Sequence, residues 1–222
     1  MKKVVITIDG PTGTGKSTTA KLLANKLKFN YIDSGFFYRA ITYKALQDKL
    51  KPNDINKLVE IAKKINIEFK EDSVFLNDKN VTEILRSFDI TNKVTSISKI
   101  KQLRKIINDK IKSSNFEYGL VIDGKDMGTA VFPDAGAKFF LICDFDARVA
   151  RRQQEFLDSG HKILKDKIAV ELKKRDEIDA KQNNGVLKKA QGAIEVDTTN
   201  MIIEEQVDFL YRKILSLGIL NS

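Results

Sequence analysis

Gly10-Pro11-Thr12-Gly13-Thr14-Gly15-Lys16-Ser17-Thr18 constrains this chain more than any other stretch. It fills the pattern G-x-x-x-x-G-K-[ST] in full, in the setting that pattern needs. Val4-Val5-Ile6-Thr7-Ile8 before it is a short β-branched run, as a buried strand would be. After it, Ala20, Leu23, Ala24 and Leu27 recur at helical spacing. Strand, glycine-rich turn and helix N-terminus make a cradle for polyphosphate. The glycines let backbone N–H groups turn inward, and the helix adds the positive end of its dipole. Lys16 is placed to reach the β- and γ-phosphates, and the Ser17 hydroxyl to ligate Mg²⁺. A nucleoside triphosphate site over Gly10 to Thr18 is the first expectation.

A chain of 222 residues suffices for one α/β domain with an insertion. No apolar run approaches membrane-spanning length, so no membrane partner is expected. Lys2-Lys3 and the five residues after them are too short for a secretory signal. The single cysteine, Cys143, excludes an intrachain disulfide, and a cytoplasmic location is expected. Its apolar neighbours Phe139-Phe140-Leu141-Ile142 mark it as a core thiol. The net charge of +9 fits a nucleic-acid footprint or a cationic bowl for small polyphosphates. Lysines are scattered over most helices and form no dense block, and charge alone does not decide between the two.

Further along, Phe29 to Asp33 reads as a second strand and Phe37 to Lys49 as a helix. Pro52-Asn53 breaks the pattern, and Asp54 can cap a helix from Ile55 to Ile65. Residues 66–82 alternate around turns at Glu71-Asp72 and Asn77 to Asn80, predicting a small β-meander inserted in the main fold. Helical spacing returns from Thr82 to Lys112. Strands are expected at Gly119 to Asp123, Lys138 to Cys143 and Ala193 to Val196. Helices are expected at Ala147 to Leu157, Leu164 to about Lys181 and Met201 to Leu217. Alternating strands and helices imply a mostly parallel sheet, with ligands beyond the carboxyl ends of its strands. That expectation gathers the Gly10–Thr18 loop, Asp33-Ser34-Gly35, Asp123 to Thr129 and Asp144 to Asp146.

Three kinds of phosphate chemistry compete. A regulatory GTPase needs N-K-x-D, yet Asn92-Lys93-Val94-Thr95 lacks the acid, and no D-x-x-G occurs. A nucleic-acid-dependent ATPase usually needs a longer chain. A small-molecule kinase needs cations that hold an acceptor phosphate in line with the γ-phosphate, since positioning and charge neutralisation carry the catalysis. Tyr38 and Arg39 open the helix after the second strand. Arg148, Arg151 and Arg152 share a helical face, as do Arg175 and Asp179. With Lys16, the three arginines are the catalytic candidates. Taken singly, each is equally a solvated surface charge, and Arg175/Asp179 an ordinary helix ion pair.

Along nearly its whole length the chain resembles bacterial cytidylate kinase, a P-loop nucleoside monophosphate kinase. The resemblance rests on Ile8-Asp9-Gly10-Pro11, on Tyr31-Ile32-Asp33-Ser34-Gly35 with Tyr38-Arg39, and on Phe75 to Thr82 with Ile84-Leu85-Arg86. It continues through Asp123-Gly124-Lys125-Asp126-Met127-Gly128-Thr129 and Val131-Phe132-Pro133-Asp134-Ala135. Arg151-Arg152, Lys174-Arg175-Asp176 with Asp179, and Val196-Asp197-Thr198-Thr199 complete it. It implies transfer of the ATP γ-phosphoryl group to CMP or dCMP, with Mg²⁺, by a monomer that needs no nucleic acid. It also implies a fold of five parallel strands flanked by helices, with a β-containing insertion and a helical lid. One domain over 1–222 is expected: core 1–33 and 119–222, monophosphate-binding region 34–118, lid about 153–170.

By position, Ser34, Tyr38 and Arg39 would hold the acceptor's sugar-phosphate. Thr95, Arg104 and Asp126 would face the cytosine edge, and Arg175 and Asp179 the ribose region. A carboxylate can accept from the cytosine N4 amino group, and a guanidinium can donate to O2 and N3. The chain departs from the family in four places. Lys125 and Thr95 stand where arginine and serine are usual. Ile111-Lys112 stands where Q-R follows the Arg104 helix, and Gln182 beside Lys181 where an arginine follows Asp179. Lys125 offers the acceptor phosphate one point charge in place of a planar fork. A kinase for another acceptor such as UMP remains open, and so does a basic P-loop NTPase acting on RNA or DNA.

Overall fold

Val4–Asp9 forms β1, whose last four residues are buried, as a central parallel strand covered on both faces must be. The computed structural model describes residues 3–70, 73–116, 118–158, 160–181 and 186–220. In chain order β1 is followed by α1 (Lys16–Leu27), β2 (Asn30–Asp33), α2 (Gly35–Gln47) and α3 (Ile55–Lys64). Next come β3 (Ile67–Lys70), β4 (Ser73–Leu76), β5 (Lys79–Asn80), α4 (Thr82–Arg86), α5 (Phe88–Ser98) and α6 (Lys101–Ser113). β6 (Gly119–Gly124) leads into a single π-helical turn, Met127–Val131, and then to β7 (Ala137–Ile142). α7 (Phe145–Asp158), α8 (Lys165–Lys181), β8 (Ile194–Asp197) and α9 (Ile203–Ser216) end the succession.

The chain divides into two compact units, Met1–Ile32 with Phe116–Ser222, and Asp33–Asn115. The first is built on the expected five-stranded parallel sheet, in the order β2-β6-β1-β7-β8. Registers of Ile8 with Asp123 and with Phe139 bring the ends of β6, β1 and β7 level. Ile6, Ile8, Val121, Phe139 and Leu141 from the strands pack with Ala20, Leu23, Leu210 and Ile214 from α1 and α9. Burial on this scale contributes roughly 1.5–3 kcal/mol for each large side chain. It fixes the strand ends from which the phosphate loop departs. A smaller cluster, Val149, Phe156, Ile168 and Leu172, joins α7 to α8.

In the second unit the expected meander is the antiparallel sheet β3-β4-β5. Its anchor is Thr82, whose hydroxyl accepts from the Val74 N–H at 2.8 Å and donates to Asn80 Oδ1 at 2.8 Å. The expected turn at Glu71-Asp72 lies outside the described residues. Leu103, Ile107 and Ile111 line one face of α6 at i, i+4 and i+8 and are buried.

The single helical stretch expected over 82–112 is three helices. It breaks at Ser87 (φ −54°, ψ 152°) and Ile100 (φ −72°, ψ 112°), both extended. Neither break carries a glycine or proline, so periodicity ran on across them. Asp54 precedes α3 as expected, but its side chain does not bond to the helix amides. Its carboxylate accepts instead from the Lys51 N–H at 2.7 Å, closing the turn before the helix. Among the described residues no helix is long and apolar enough to cross a membrane.

Candidate active site

The loop after β1 folds around its own polar groups. Gly10 has φ +151°, and a Cβ there would lie 2.3 Å from the Leu141 carbonyl oxygen of β7. Only a residue without a side chain lets the loop leave the sheet there. Lys16 Nζ donates to the Pro11 carbonyl at 2.6 Å, and Thr14 Oγ1 to the same carbonyl at 3.1 Å. The ammonium is thereby folded back onto the loop. Ser17 and Thr18 are exposed at the start of α1.

Ser17 Oγ donates to Asp123 Oδ2 at 2.7 Å, and the Tyr31 hydroxyl donates to Asp123 Oδ1 at 2.8 Å. Asp123 is buried at the end of β6, beside β1. A hydroxyl at the end of the phosphate loop and a carboxylate from β6 form the hard-oxygen set that Mg²⁺ takes alongside phosphate oxygens. The donor set fits the ion.

The three arginines of α7 have different partners. Arg148 makes a two-pronged contact with Asp176 of α8, at 3.1 and 2.7 Å, and reaches the Thr12 carbonyl at 3.3 Å. Its Nε is buried with no hydrogen-bond partner among the described residues. Arg151 donates to the carbonyls of Thr14, Thr198, Thr199 and Met201, and to the Thr198 hydroxyl. It also touches Cys143 Sγ at 3.5 Å, and the thiol is half-buried where a core position was expected. Arg152 pairs with Glu155 one turn on and lies 4.5 Å from the centre of the Phe156 ring.

At the end of β6, Lys125 Nζ pairs with Asp179 Oδ1 at 2.9 Å, and Arg175 Nε stands 4.0 Å from Asp179 Oδ2. Asp126 is buried and precedes the π-helical turn. The side chain of Lys181, and Gln182 entirely, lie outside the described residues. His161 is exposed after α7.

The second unit brings together another set of expected residues. Ser34 is buried at the start of α2, one turn before Tyr38 and Arg39. The guanidinium of Arg104, from α6, lies 5.4 Å over the Tyr38 ring and donates to the Ser98 carbonyl at 3.3 Å. Arg39 Nη1 donates to the Leu85 carbonyl at 2.9 Å and to Thr91 Oγ1 at 2.8 Å. Thr95 is half-buried on α5. These cations are held by backbone and ring contacts.

The sequence of residues 6–216 matches the family model described as Cytidylate kinase. The chain belongs to the cytidylate kinase family. It is 37% identical over 214 residues to the cytidylate kinase of Clostridioides difficile, covering 96% of this chain and 99% of that one. It is 40% identical over 215 residues to the cytidylate kinase of Fusobacterium nucleatum, covering 96% and 98%. Among solved structures, an uncharacterized protein from Eubacterium ventriosum superposes with a TM-score of 0.54 at 15% identity, over 97% of this chain and 99% of that one. The fold alone is shared there.

Within the cytidylate kinase frame, Asp123, Tyr31 and Asp176 fall in the segments that carry the resemblance, but no role of their own was legible in the sequence. Asp123 opens the D-G-K-D segment, whose Lys125 and Asp126 were the expected contacts. Its signal was its position as the last acid of a strand next to the phosphate-loop strand. Tyr31 and Asp176 carried no signal in spacing, because their partners are 92 and 28 residues away in sequence.

Proposed function

We propose that this member of the cytidylate kinase family transfers the γ-phosphoryl group of ATP to CMP or dCMP, giving ADP and CDP or dCDP. Family membership over 6–216 carries the reading. The phosphate loop, with Lys16 folded over it, supports the donor half. Lys16 neutralises charge on the phosphates during transfer, and Ser17 and Asp123 would hold Mg²⁺, which supplies further neutralisation when bound. Arg148, Arg151 and Arg152 stand on α7, where the first two also brace the loop through the Thr12 and Thr14 carbonyls.

On the acceptor side, Ser34, Tyr38 and Arg39 bind the sugar-phosphate, and Thr95, Arg104 and Asp126 read the base. Lys125, Arg175 and Asp179 serve the phosphate and ribose. Asp126 accepts from the cytosine N4 amino group, which uracil lacks, and a site built on that bond rejects the analogue. The enzyme works in the cytoplasm as a monomer without nucleic acid.

Incubation with ATP, Mg²⁺ and CMP, followed by ion-exchange separation of nucleotides, tests the reading. ADP and CDP in equal amounts are expected. ADP without CDP would show hydrolysis and contradict it.

A further inference from the structure

Asp9 is a carboxylate only 3% exposed, and none of the phosphate or acceptor contacts above employs it. Its two oxygens accept from two successive amides of a distant segment. The Met127 N–H reaches Oδ1 at 2.8 Å, and the Gly128 N–H reaches Oδ2 at 2.7 Å. Those amides follow Asp126 directly and open the π-helical turn, where N–H groups have no acceptor within the helix. The Asp126 side chain does not cap them. An ionised carboxylate, with an acceptor oxygen for each donor, matches the two amides.

Gly128 is fitted to the same clamp. A Cβ there would lie 2.9 Å from Thr7 Oγ1 and 3.3 Å from Asp9 Oδ2, so the turn seats itself on β1 without a side chain between. The Asp126 backbone is held at φ −146°, ψ 25°, in a connection pinned on its far side by a buried charge. The clamp grips the two residues after the base-reading carboxylate and issues from the residue before Gly10.

We infer that Asp9 is a positioning residue for acceptor specificity: by holding the Met127 and Gly128 amides it fixes the Asp126 carboxylate where the cytosine amino group is read. The inference rests on the reading of Asp126 given under Proposed function. Asp9→Asn keeps the shape but replaces one acceptor oxygen with an amino group that faces an N–H. The ratio of kcat/KM for CMP to that for UMP should then fall by about 10-fold, the size of one lost hydrogen bond. The KM for ATP should stay within about threefold, since the loop keeps its own contacts.

A purely structural role would lower both substrates' parameters together, and that outcome overturns the inference. So does an unchanged CMP:UMP ratio in folded Asp9→Asn. Asp126→Asn, measured alongside, separates the two readings. If it leaves the ratio untouched, the base assignment itself fails; if it collapses the ratio while Asp9→Asn does not, only the inference about Asp9 fails.

The unaltered enzyme decides the matter should Asp9→Asn not fold. Burial raises the Asp9 carboxyl to about 6, against the pull of the Gly128 and Met127 amides. The charged groups that bear on it are Asp126 and Lys16, and Phe140 of β7 is its register partner on the other side. Protonated, it turns an O–H toward an amide and loosens the turn. The phosphates of CMP and UMP titrate alike near about 6, so their effect cancels in the ratio. The ratio should fall with a midpoint near 6 as pH is lowered; a ratio flat from pH 8 to 5 overturns the inference.

Discussion

Lys125 Nζ lies 2.9 Å from Asp179 Oδ1, joining the end of β6 to α8 through side chains that are 18% and 11% exposed. The resemblance gave these two residues separate duties, one at the acceptor phosphate and one at the ribose. In the structure they hold each other, with Arg175 Nε at 4.0 Å on the carboxylate's other oxygen. The lysine is therefore presented by an acid, and its removal has two consequences that can be separated.

Lys125→Ala should lower kcat/KM for CMP by about 10- to 150-fold, the range for a lost hydrogen bond to a charged group. It should also lower the melting temperature, because Asp179 keeps a mostly buried charge with a weaker partner. Adding Asp179→Asn should restore much of the melting temperature and none of the activity. Lys125→Arg should retain both. An unchanged kcat/KM in Lys125→Ala would leave the pair a structural tie alone.

Arg151 differs from its neighbours on α7 in donating to the carbonyls of Thr14, Thr198 and Met201. Arg151→Lys keeps the charge but loses the fork that reaches several acceptors at once. The KM for ATP should rise about 10-fold as the phosphate loop and the segment after β8 separate. Arg152→Lys, whose partner is the exposed Glu155, should change it by less than about threefold. Equal effects of the two substitutions would show that Arg151 works only through its charge.

Much of this architecture was legible in the chain. The strand, loop and helix around Gly10–Thr18 follow from a β-branched run, four glycine and lysine positions, and apolar spacing of 3 and 4. The meander after Ile65 was marked by alternation, and Thr82 holds it as a local turn residue should. The breaks at Ser87 and Ile100 left no mark, because ordinary residues adopt extended angles there and tertiary packing decides which ones do. The pairings that define the site, Ser17 with Asp123, Lys125 with Asp179 and Arg148 with Asp176, are the hardest to foresee. Each joins residues far apart in sequence, and a motif names one partner without naming the other.

Tyr31 steadies Asp123 from the side opposite Ser17. Tyr31→Phe removes one donor and leaves the ring packing in place. Groups behind a metal ligand commonly tune affinity by about 10- to 100-fold, so the Mg²⁺ concentration for half-maximal rate should rise toward that range. Direct Mn²⁺ binding in the presence of ATP, followed by electron paramagnetic resonance, should weaken in parallel. An unaltered metal titration would confine Tyr31 to packing.

The raised Asp9 carboxyl also makes a prediction about stability. Its folded value of about 6 stands above the ordinary 3.8, so the folded protein binds this proton more tightly than the unfolded chain. Between those values stability falls as pH rises, and above pH 6 the buried charge costs on the order of 3 kcal/mol. Asp9→Asn removes that charge at the expense of one amide contact. At pH 8 its melting temperature should equal or exceed that of the unaltered protein, and the difference should vanish at pH 4. A large loss of stability at pH 8 would mean the amide contacts outweigh the buried charge.

The choice of acceptor tests the proposed cytidylate kinase activity most directly. Steady-state kcat/KM with ATP and Mg²⁺ should be measured for CMP, dCMP, UMP and AMP in one series, with Lys16→Ala as a folded, inactive control. CMP and dCMP are expected to lead, UMP to follow by roughly 10-fold or more, and AMP to react hardly at all. AMP turned over as fast as CMP, or ATP hydrolysis stimulated by nucleic acid with no acceptor preference, would contradict it.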